Sequence, residues 1–374
     1  MRILNHDRGV SASSYGLVVG LISIVALAAV TSSGSSIEQL FTDTSDTLEG
    51  VLDGSVGQSA SAGDSSASPT PTPVFGFASH TFTTCGASGQ FGPSEANCTS
   101  AYSTSWDEDP ANFNVTGGIQ FFTVPQTGTY RITAIGASGG DSGHRAAGNG
   151  ASMRGDFDLT VGTVLRIVVG QEGSASTNDS LDFSGGGGGG TFVSSNGTSN
   201  LLIAAGGGGG GAGRYNNSLT EEYTGMDAVT GTAGTAGNSP VSASIGTSDN
   251  GSRGYSPGRL EFTSHNGVAG GGGWLESAID GHNSSEGGHA GNSDAQGGGA
   301  GEGGVGGFGG GGGGRNVAGG GGGGYSGGNG GVYFNGGSTY SAGGGGGGSF
   351  NGGTNQSNQA GANDGHGSVI IELL

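Results

Sequence analysis

The sequence predicts a mainly β protein with an N-terminal α-helical stem and with packed, ordered glycine helices in its second half. Three observations predict this class. Strand-like runs of β-branched and aromatic residues recur after residue 118, an apolar run lies near the N-terminus, and five runs of six glycines have aromatic neighbours. Glycine supplies 93 of 374 residues, a content that in a chain without order is typical of low complexity.

The formal net charge is −19, and all ten basic residues are arginines. This acidic balance argues against a nucleic-acid partner and against an anionic membrane surface. The chain contains two cysteines, Cys85 and Cys98, which lie close together in the sequence. Because close cysteines in an exported chain most often pair, we expect a disulfide between them.

The first element is predicted to be a membrane-inserted helix that covers residues 10–54. An almost purely apolar stretch spans residues 15–30, Arg2 and Arg8 precede it, and acidic residues follow it. This asymmetry predicts a cytoplasmic start and an external remainder. Beyond the apolar stretch, residues at three- and four-residue spacing continue a helical stripe: Ile37, Leu40, Phe41, Thr44, Leu48 and Leu52.

This segment resembles the N-terminus of Flp-type (tight-adherence, Tad) type IV pilins, in which a short basic leader ends in glycine before a Glu-Tyr-Gly-Leu-like helix start. The matching residues are Tyr15, Gly16 and Leu17. The resemblance implies that prepilin peptidase removes residues 1–9 by cutting after Gly9, so that Val10 begins the mature chain. It also implies other pilin subunits as partners, the bacterial inner membrane as the location of the precursor, and an extracellular pilus as the final location.

One position departs from the pilin pattern, because Ser14 stands where the family has a glutamate. In such filaments the carboxylate pairs with the N-terminal amine of a neighbouring subunit, and an unpaired carboxylate is costly in lipid. Ser14 therefore fits a minor or tip subunit, and it fits equally a filament that tolerates serine. The whole N-terminus has a second interpretation, a secretory signal cleaved near Thr31.

Residues 55–76 are predicted to be a linker between the stem and a head domain of residues 77–374. The linker is rich in serine and other small polar residues, which is typical of an extended tether. Pro69, Pro71 and Pro73 alternate with threonine, which favours polyproline II and a partly stiff spacer.

The head is predicted to be built on strands. The candidates are residues 119–124, 129–135, 152–159, 164–169, 191–193, 201–205 and 368–373. The first two are joined by Pro-Gln-Thr-Gly, which predicts a hairpin. Because the last candidate follows the glycine region, we expect the sheet to be completed after that region.

From Cys85 to about Gly211 the chain resembles the glycine-rich extracellular domain of the anaplastic lymphoma kinase and leukocyte tyrosine kinase receptors. The matching motifs are CGASGQFGPSEANCTSAY, GIQFFTVPQTGTYRITAIGASGGD, MRGDFDLTVGTVLRIVVGQEG and GGGGGGTFV followed by NLLIAAGGGGGG. The resemblance implies a jelly-roll-like β-sandwich with glycine helices beside it. It implies no kinase activity, since no kinase signature follows.

The five glycine runs, residues 185–190, 206–211, 309–314, 319–324 and 343–348, have equal length. In a threefold extended helix, polyglycine II, six residues span roughly 19 Å, so matched runs can lie side by side. Such helices form hydrogen bonds only with neighbours, and the missing Cβ allows the close approach. Aromatic residues flank the runs and predict an apolar border: Phe183, Phe192, Phe308, Tyr325, Tyr333, Phe334, Tyr340 and Phe350.

The sequence predicts a binding or structural subunit and no enzyme. It contains no serine elbow, paired-acid frame or phosphate loop, and its histidines lack metal-ligand spacing, so we expect no catalytic residues, metal or cofactor. The tripeptide Arg154-Gly155-Asp156 lies in a predicted strand, which argues against integrin-type use.

We expect a pilin-like subunit with an adhesive head that meets a glycan or protein on a surface. The residues expected to bind are Tyr215, Tyr325 and Tyr340, in turns of the glycine layer. The alternatives are an inert coat or spacer subunit and a secreted adhesin with a cleaved signal.

Overall fold

The computed structural model describes residues 74–143, 145–175, 184–213, 223–238, 254, 265–281, 285–300, 302–336 and 338–374. The chain divides into two units, Met1–Ser68 and Pro69–Leu374, and all described residues belong to the second. The predicted leader, the predicted helix 10–54 and the predicted linker up to residue 73 lie outside the described residues. Among the described residues, no helix is long and apolar enough to cross a bilayer.

Fourteen strands and one short helix occur in the described part of the chain. In chain order they are β1 (Ser79–Phe82), α1 (Glu95–Ala101), β2 (Phe113–Thr116), β3 (Ile119–Thr123), β4 (Gly128–Ile135), β5 (Gly150–Leu159), β6 (Val164–Val168), β7 (Thr191–Ser195), β8 (Asn200–Ala205), β9 (His265–Gly267), β10 (Val332–Gly336), β11 (Ser338–Ser341), β12 (Phe350–Asn351), β13 (Thr354–Asn363) and β14 (Ser368–Leu373). The prediction of a mainly β protein is confirmed.

The strands form three sheets, in which every pairing is antiparallel. A five-stranded sheet has the order β1-β14-β4-β5-β13, a six-stranded sheet β12-β8-β7-β6-β3-β2, and a three-stranded sheet β11-β10-β9. Strand β14 lies between β1 and β4. The last strand therefore completes the five-stranded sheet, as its apolar sequence predicts.

The five- and six-stranded sheets enclose one hydrophobic core. Strand β4 alternates, with Tyr130, Ile132 and Ala134 fully buried and their neighbours half-buried, so one face of that sheet points inward. Phe122 of β3 and Leu165 of β6, in the six-stranded sheet, belong to the same cluster. Burying alternate side chains of both sheets is the main apolar stabilisation that the fold offers.

The predicted hairpin between the first two strands is wrong. Strand β3 pairs with β2 and β6, whereas β4 pairs with β5 and β14, so the two strands lie in different sheets. The connection that contains Pro125 crosses from one sheet to the other. Phe122 and Tyr130 thereby enter the same core from opposite sides, which a hairpin within one sheet would not allow.

The chain enters the described fold beside this connection. The N–H of Val74 donates to the Pro125 carbonyl at 2.9 Å, and the Phe75 ring stacks on Trp106 with centroids 5.6 Å apart. Phe75 lies within the predicted linker range and packs against the core. The described packing therefore begins a few residues before the predicted start of the head.

The glycine runs are called run 1 to run 5 in chain order, and together they form the glycine slab. Within run 1, N–H groups three residues apart donate to the same neighbour: Gly185 and Gly188 to run 2, Gly186 and Gly189 to residues 171–174, and Gly187 and Gly190 to run 3. These bonds measure 2.8–3.1 Å. Run 4 repeats the pattern toward run 1, residues 342–345 and residues 269–272. The predicted hydrogen bonding between runs is confirmed.

The spacing between runs leaves no room for a side chain. A Cβ added to Gly187 would lie closer than 3.0 Å to the carbonyl oxygen of Gly321, and one added to Gly322 equally close to that of Gly207. Real Cβ atoms essentially never approach backbone so closely. The slab is therefore a layer that only glycine can form, since its neighbours are joined directly through backbone groups.

The slab continues the strands at one end of the two large sheets. Run 1 leads directly into β7 and run 2 directly follows β8, and both bond to residues 137–140 just beyond β4. The connection that contacts Val74 joins the opposite ends of β3 and β4. Val74 and the slab thus lie at opposite ends of the sandwich.

An apolar cluster covers the outer face of the six-stranded sheet and is called the outer cluster. It consists of Ile119, Val168, Phe192, Ala204, Trp274, Ala295 and Phe308, with Phe121, Leu201, Tyr325 and Phe350 packed against it. Phe192 and Trp274 are 5.5 Å apart between ring centroids. Four residues of the predicted aromatic border, Phe192, Phe308, Tyr325 and Phe350, lie here; Tyr333 lies in a third cluster.

Candidate binding site

The residues predicted from the pilin resemblance cannot be placed. Gly9, Val10, Ser14, Tyr15, Gly16 and Leu17 lie outside the described residues. Leader cleavage and filament contacts therefore stay predictions.

The three tyrosines predicted to bind a ligand have different outcomes. Tyr215 lies outside the described residues. Tyr340 lies in β11, where the structure describes its backbone only. Tyr325 is half-buried, and its ring stacks on Phe350 with centroids 5.2 Å apart. Its N–H donates to the Gly348 carbonyl at 2.8 Å. Tyr325 is therefore a packing residue of the outer cluster, with only part of its ring open to a ligand.

The predicted disulfide between Cys85 and Cys98 is formed. It closes a short loop, and helix α1 begins inside this loop. Ser94 caps the helix, because its hydroxyl accepts a hydrogen bond from the Asn97 N–H while the Asn97 side chain accepts one from the Ser94 N–H. The loop is therefore fixed at its C-terminal end by a covalent bond and a helix cap.

The Arg154-Gly155-Asp156 tripeptide lies in β5, as predicted, and does not present its aspartate. Asp156 is 4% exposed. Its carboxylate accepts hydrogen bonds from Arg131 at 2.8 and 3.0 Å and from Asn355 at 3.0 Å. Because this carboxylate is already paired, it cannot bind an external cation.

A cleft at the slab end of the sandwich is a candidate binding site formed by described residues. It has a volume of about 380 Å³ and is called the Phe91 cleft. The disulfide loop supplies Phe91 and Pro93, the turn between β2 and β3 supplies Gly117 and Gly118, and the slab side supplies Asp294 and Gln296. Buried Phe308 of the outer cluster also lines it.

The backbone that carries Phe91 is held against the slab side. The carbonyl of Gly89 accepts from the Phe308 N–H at 2.7 Å, and that of Gln90 from the Gly297 N–H at 2.9 Å. The carbonyl of Phe91 accepts from the amide of fully buried Gln171 at 3.0 Å. The Phe91 ring is nevertheless 64% exposed. A large apolar ring therefore faces solvent on a fixed backbone.

Asp294 is oriented by its neighbours on the opposite side of the cleft. Its carboxylate lies 2.7 Å from His289 Nδ1 and accepts from the Ser293 hydroxyl at 3.3 Å. Partial burial alone would raise the pKa of Asp294, but the hydrogen bonds from His289, Gln296 and Ser293 and the charge interaction with His289 hold that pKa below its usual range. The group is an ionised, preoriented acceptor at neutral pH.

Arg166 supports the turn that carries Asp294. Its guanidinium donates to the Ser293 carbonyl at 2.6 Å and lies 5.9 Å from the Trp274 ring centroid. Burial lowers the pKa of Arg166 to about 10, which leaves it charged at neutral pH. Arg166 thus links β6 of the sheet to the slab side of the cleft.

Within the described part of the chain, no group of three or more His, Cys, Asp or Glu residues could hold a metal ion. The groups that line the cleft are the rings of Phe91 and Phe308, the Asp294 carboxylate, the Gln296 amide, the Ser94 hydroxyl and backbone groups. Such a set can bind and orient a ligand. It has no nucleophile paired with a base.

Sequence reasoning did not find this cleft. Phe91 and Asp294 are far apart in the chain, and the fold alone brings them to one hollow. The available signal was the aromatic residue in FGPSEANC, between two cysteines, where a buried strand residue is not expected.

Comparison with known proteins supports a partial likeness to a receptor tyrosine kinase. No protein-family model matches the chain. The mouse leukocyte tyrosine kinase receptor is 38% identical over 97 residues, which make up 25% of this chain and 11% of the receptor. The likeness agrees with the resemblance of the glycine-rich region, and it concerns only a small part of that receptor.

Proposed function

We propose that this protein is a non-enzymatic, surface-displayed subunit whose glycine-rich head binds a partner on another surface. The observation that carries the proposal is the placement of Val74 and the Phe91 cleft at opposite ends of the sandwich. Val74 is the first described residue after the N-terminal part of the chain, and it lies at the end of the sandwich away from the cleft and the slab. This is the arrangement that a display module needs.

The architecture of the head is proposed in more detail from the same observations. The two facing antiparallel sheets fit a jelly-roll-like sandwich, as the resemblance to the receptor kinases implies. The three-residue repeat of hydrogen-bond partners fits polyglycine II, because this helix has three residues per turn and no internal hydrogen bonds. The slab then acts as a stiff mount for the turns and the cleft.

The stem is proposed to be that of a Flp-type or Tad-type pilin. The match of Tyr15, Gly16 and Leu17 and the apolar run after Arg8 support it. Prepilin peptidase would act on the precursor in the bacterial inner membrane, and the mature subunit would join a filament outside the cell. Ser14 fits a minor or tip position, and it fits a filament that tolerates serine equally.

The mass of the mature N-terminus in the native host tests the stem. A chain that begins at Val10 is expected. A chain that begins near Thr31 would show a cleaved secretory signal and would replace the filament subunit by a secreted adhesin.

Adhesion by whole cells tests the head. Cells that display the full chain are compared with cells in which it is deleted and cells that display a chain ending after residue 76. We expect adhesion with the full chain alone. Equal adhesion by all three would overturn the adhesive role and leave an inert coat or spacer subunit.

A further inference from the structure

The Phe91 cleft has the composition of a site for one kind of ligand. Its aromatic ring is 64% exposed although its backbone is hydrogen-bonded to the slab side. Because the backbone is already held, only the side-chain conformational entropy of Phe91 is lost when a ligand packs on its ring. An apolar, flat ligand face is therefore the natural partner of Phe91.

The opposite side of the cleft provides polar partners. Asp294 offers an ionised carboxylate that His289 orients at 2.7 Å, and Gln296 offers an amide with both donor and acceptor atoms. A ligand that fits must pair hydroxyl-type donors with Asp294 while it presents an apolar face to Phe91. A sugar ring combines the two, because its hydroxyl groups are donors and its C–H face is apolar.

Charge narrows the ligand further. Asp294 is acidic, the described residues that line the cleft include no lysine or arginine, and the chain has a formal charge of −19. Sialylated and sulfated sugars would be repelled. The volume of about 380 Å³ lies at the lower end of small-ligand pockets, roughly 300–1,000 Å³, which suits one or two sugar units.

We propose that the Phe91 cleft binds an uncharged pyranose unit of a surface glycan, with its C–H face on Phe91 and its hydroxyl groups donating to Asp294. This inference rests on the proposed function, since it names the chemical class that the displayed head recognises. Arg166 acts as a positioning residue, because it holds the Ser293 carbonyl next to Asp294.

Binding of the purified full-length protein in detergent to immobilised glycans tests the site. The panel contains neutral hexose and N-acetylhexosamine glycans, their sialylated forms, and polylysine as a cationic probe. We expect binding to one or more neutral glycans and none to the sialylated forms. Phe91→Ala removes the aromatic stacking, and Asp294→Asn removes one charged hydrogen bond. Each variant should weaken binding roughly tenfold.

Matched controls separate the site from general effects. Leu275→Ala removes another exposed apolar side chain, 56% exposed, and Glu108→Gln removes another exposed acid; both should bind as the parent does. Phe91→Trp retains an aromatic face and should retain binding. Since Phe91 is exposed, its variants should unfold at the parent's temperature.

The outcomes distinguish the inference from the proposed function. Phe91-dependent binding of polylysine without any neutral glycan would overturn the sugar and favour a basic peptide. Full-strength glycan binding by Phe91→Ala, or no glycan binding while cells still adhere, would overturn the cleft and leave the adhesive head standing. The adhesive role of the full chain is tested separately, by comparing cells that display the chain with cells in which it is deleted.

Discussion

In the slab, a glycine residue acts through the side chain that it lacks. Gly187 lies in the middle of run 1 and donates to Gly312 at 2.9 Å, while the Gly321 carbonyl occupies the position of its missing Cβ. Even the smallest side chain must therefore push two hydrogen-bonded runs apart. The same substitution is harmless where a glycine faces open space, as Gly231 does.

We predict that Gly187→Ala lowers the free energy of unfolding by about 1–3 kcal/mol or more, because overpacking displaces backbone that cannot rearrange. Gly231→Ala, the matched control, should change it by less than about 0.5 kcal/mol. Denaturant unfolding of both variants measures the difference. Equal stabilities would show that the runs are not packed as described.

Asp156 gives a second prediction at this scale. Hydrogen bonds from Arg131 and then Asn355 hold the pKa of Asp156 below its usual range. The unfolded chain then binds more protons than the folded one once the pH falls below about 4. The stability contributed by this carboxylate is present above that pH and is lost as the pH falls through the folded value.

We predict that Asp156→Asn is less stable than the parent at neutral pH, and that the difference shrinks toward zero in acid. Unfolding midpoints measured from pH 7 to pH 2 test this. A stability difference that stays constant over the whole range would contradict the assignment of the carboxylate to the pair with Arg131.

Among the elements, β14 shows how a strand after the glycine region stabilises the sheet before it. Its register pairs Val369 with Phe82 of β1 and with Ala134 of β4. Ile371 is fully buried in the core between the sheets, whereas its neighbour Ile370 is half-buried on the other face. One strand thus carries a core residue and its own matched control.

We predict that Ile371→Ala lowers the free energy of unfolding by about 2–5 kcal/mol, since it leaves a cavity in the core. Ile370→Ala should have a clearly smaller effect. Thermal unfolding of the two variants is the measurement, and a larger effect at Ile370 would mean that the register of β14 is shifted by one residue.

Strands that bury side chains could be predicted from the sequence, and strands defined by pairing alone could not. The boundaries of β14 agree with the prediction because its apolar, β-branched run strongly favours a strand over other structures. Strand β13, TNQSNQAGAN, was missed because nearly all its side chains are exposed, so its sequence shows no apolar alternation that would indicate pairing with β5. The hairpin was misjudged because a Pro-Gln-Thr-Gly turn looks the same within one sheet and between two.

The candidate site was less predictable than the fold. The disulfide could be predicted because both cysteines are close in sequence. The Phe91 cleft could not, since its parts come from the disulfide loop, the β2–β3 turn and the region around Asp294, which only the folded chain brings together. The sequence predicts Tyr325 as a binding residue in a turn of the glycine layer, and its stacking on Phe350 depends on a contact that periodicity does not show.

At the scale of the whole molecule, glycine runs of the slab are continuous with strands of the sandwich. We therefore expect the amides of both parts to be protected from hydrogen exchange together. The slab amides bond to other runs, to the segment after β4 and to the segment after β6. Opening the slab therefore requires breaking hydrogen bonds to the segments that directly follow strands of both sheets. A unit of this kind is expected to open cooperatively.

We predict that the amides of residues 185–190 exchange with solvent as slowly as those of β4. The amide of exposed Gly231 serves as the internal fast reference. Hydrogen exchange followed by NMR or mass spectrometry tests this. Exchange of run 1 at the rate of an unstructured peptide would mean that the slab is not ordered in solution.

The close approach of backbone in the slab also has a consequence at the level of the gene. Every amino-acid change that a single-base substitution makes in a glycine codon introduces a residue with a Cβ. At positions such as Gly187 and Gly322 there is no space for that atom. Variants of this protein can therefore diversify at positions with open space, such as Gly231, while the codons of the slab tolerate little beyond silent change.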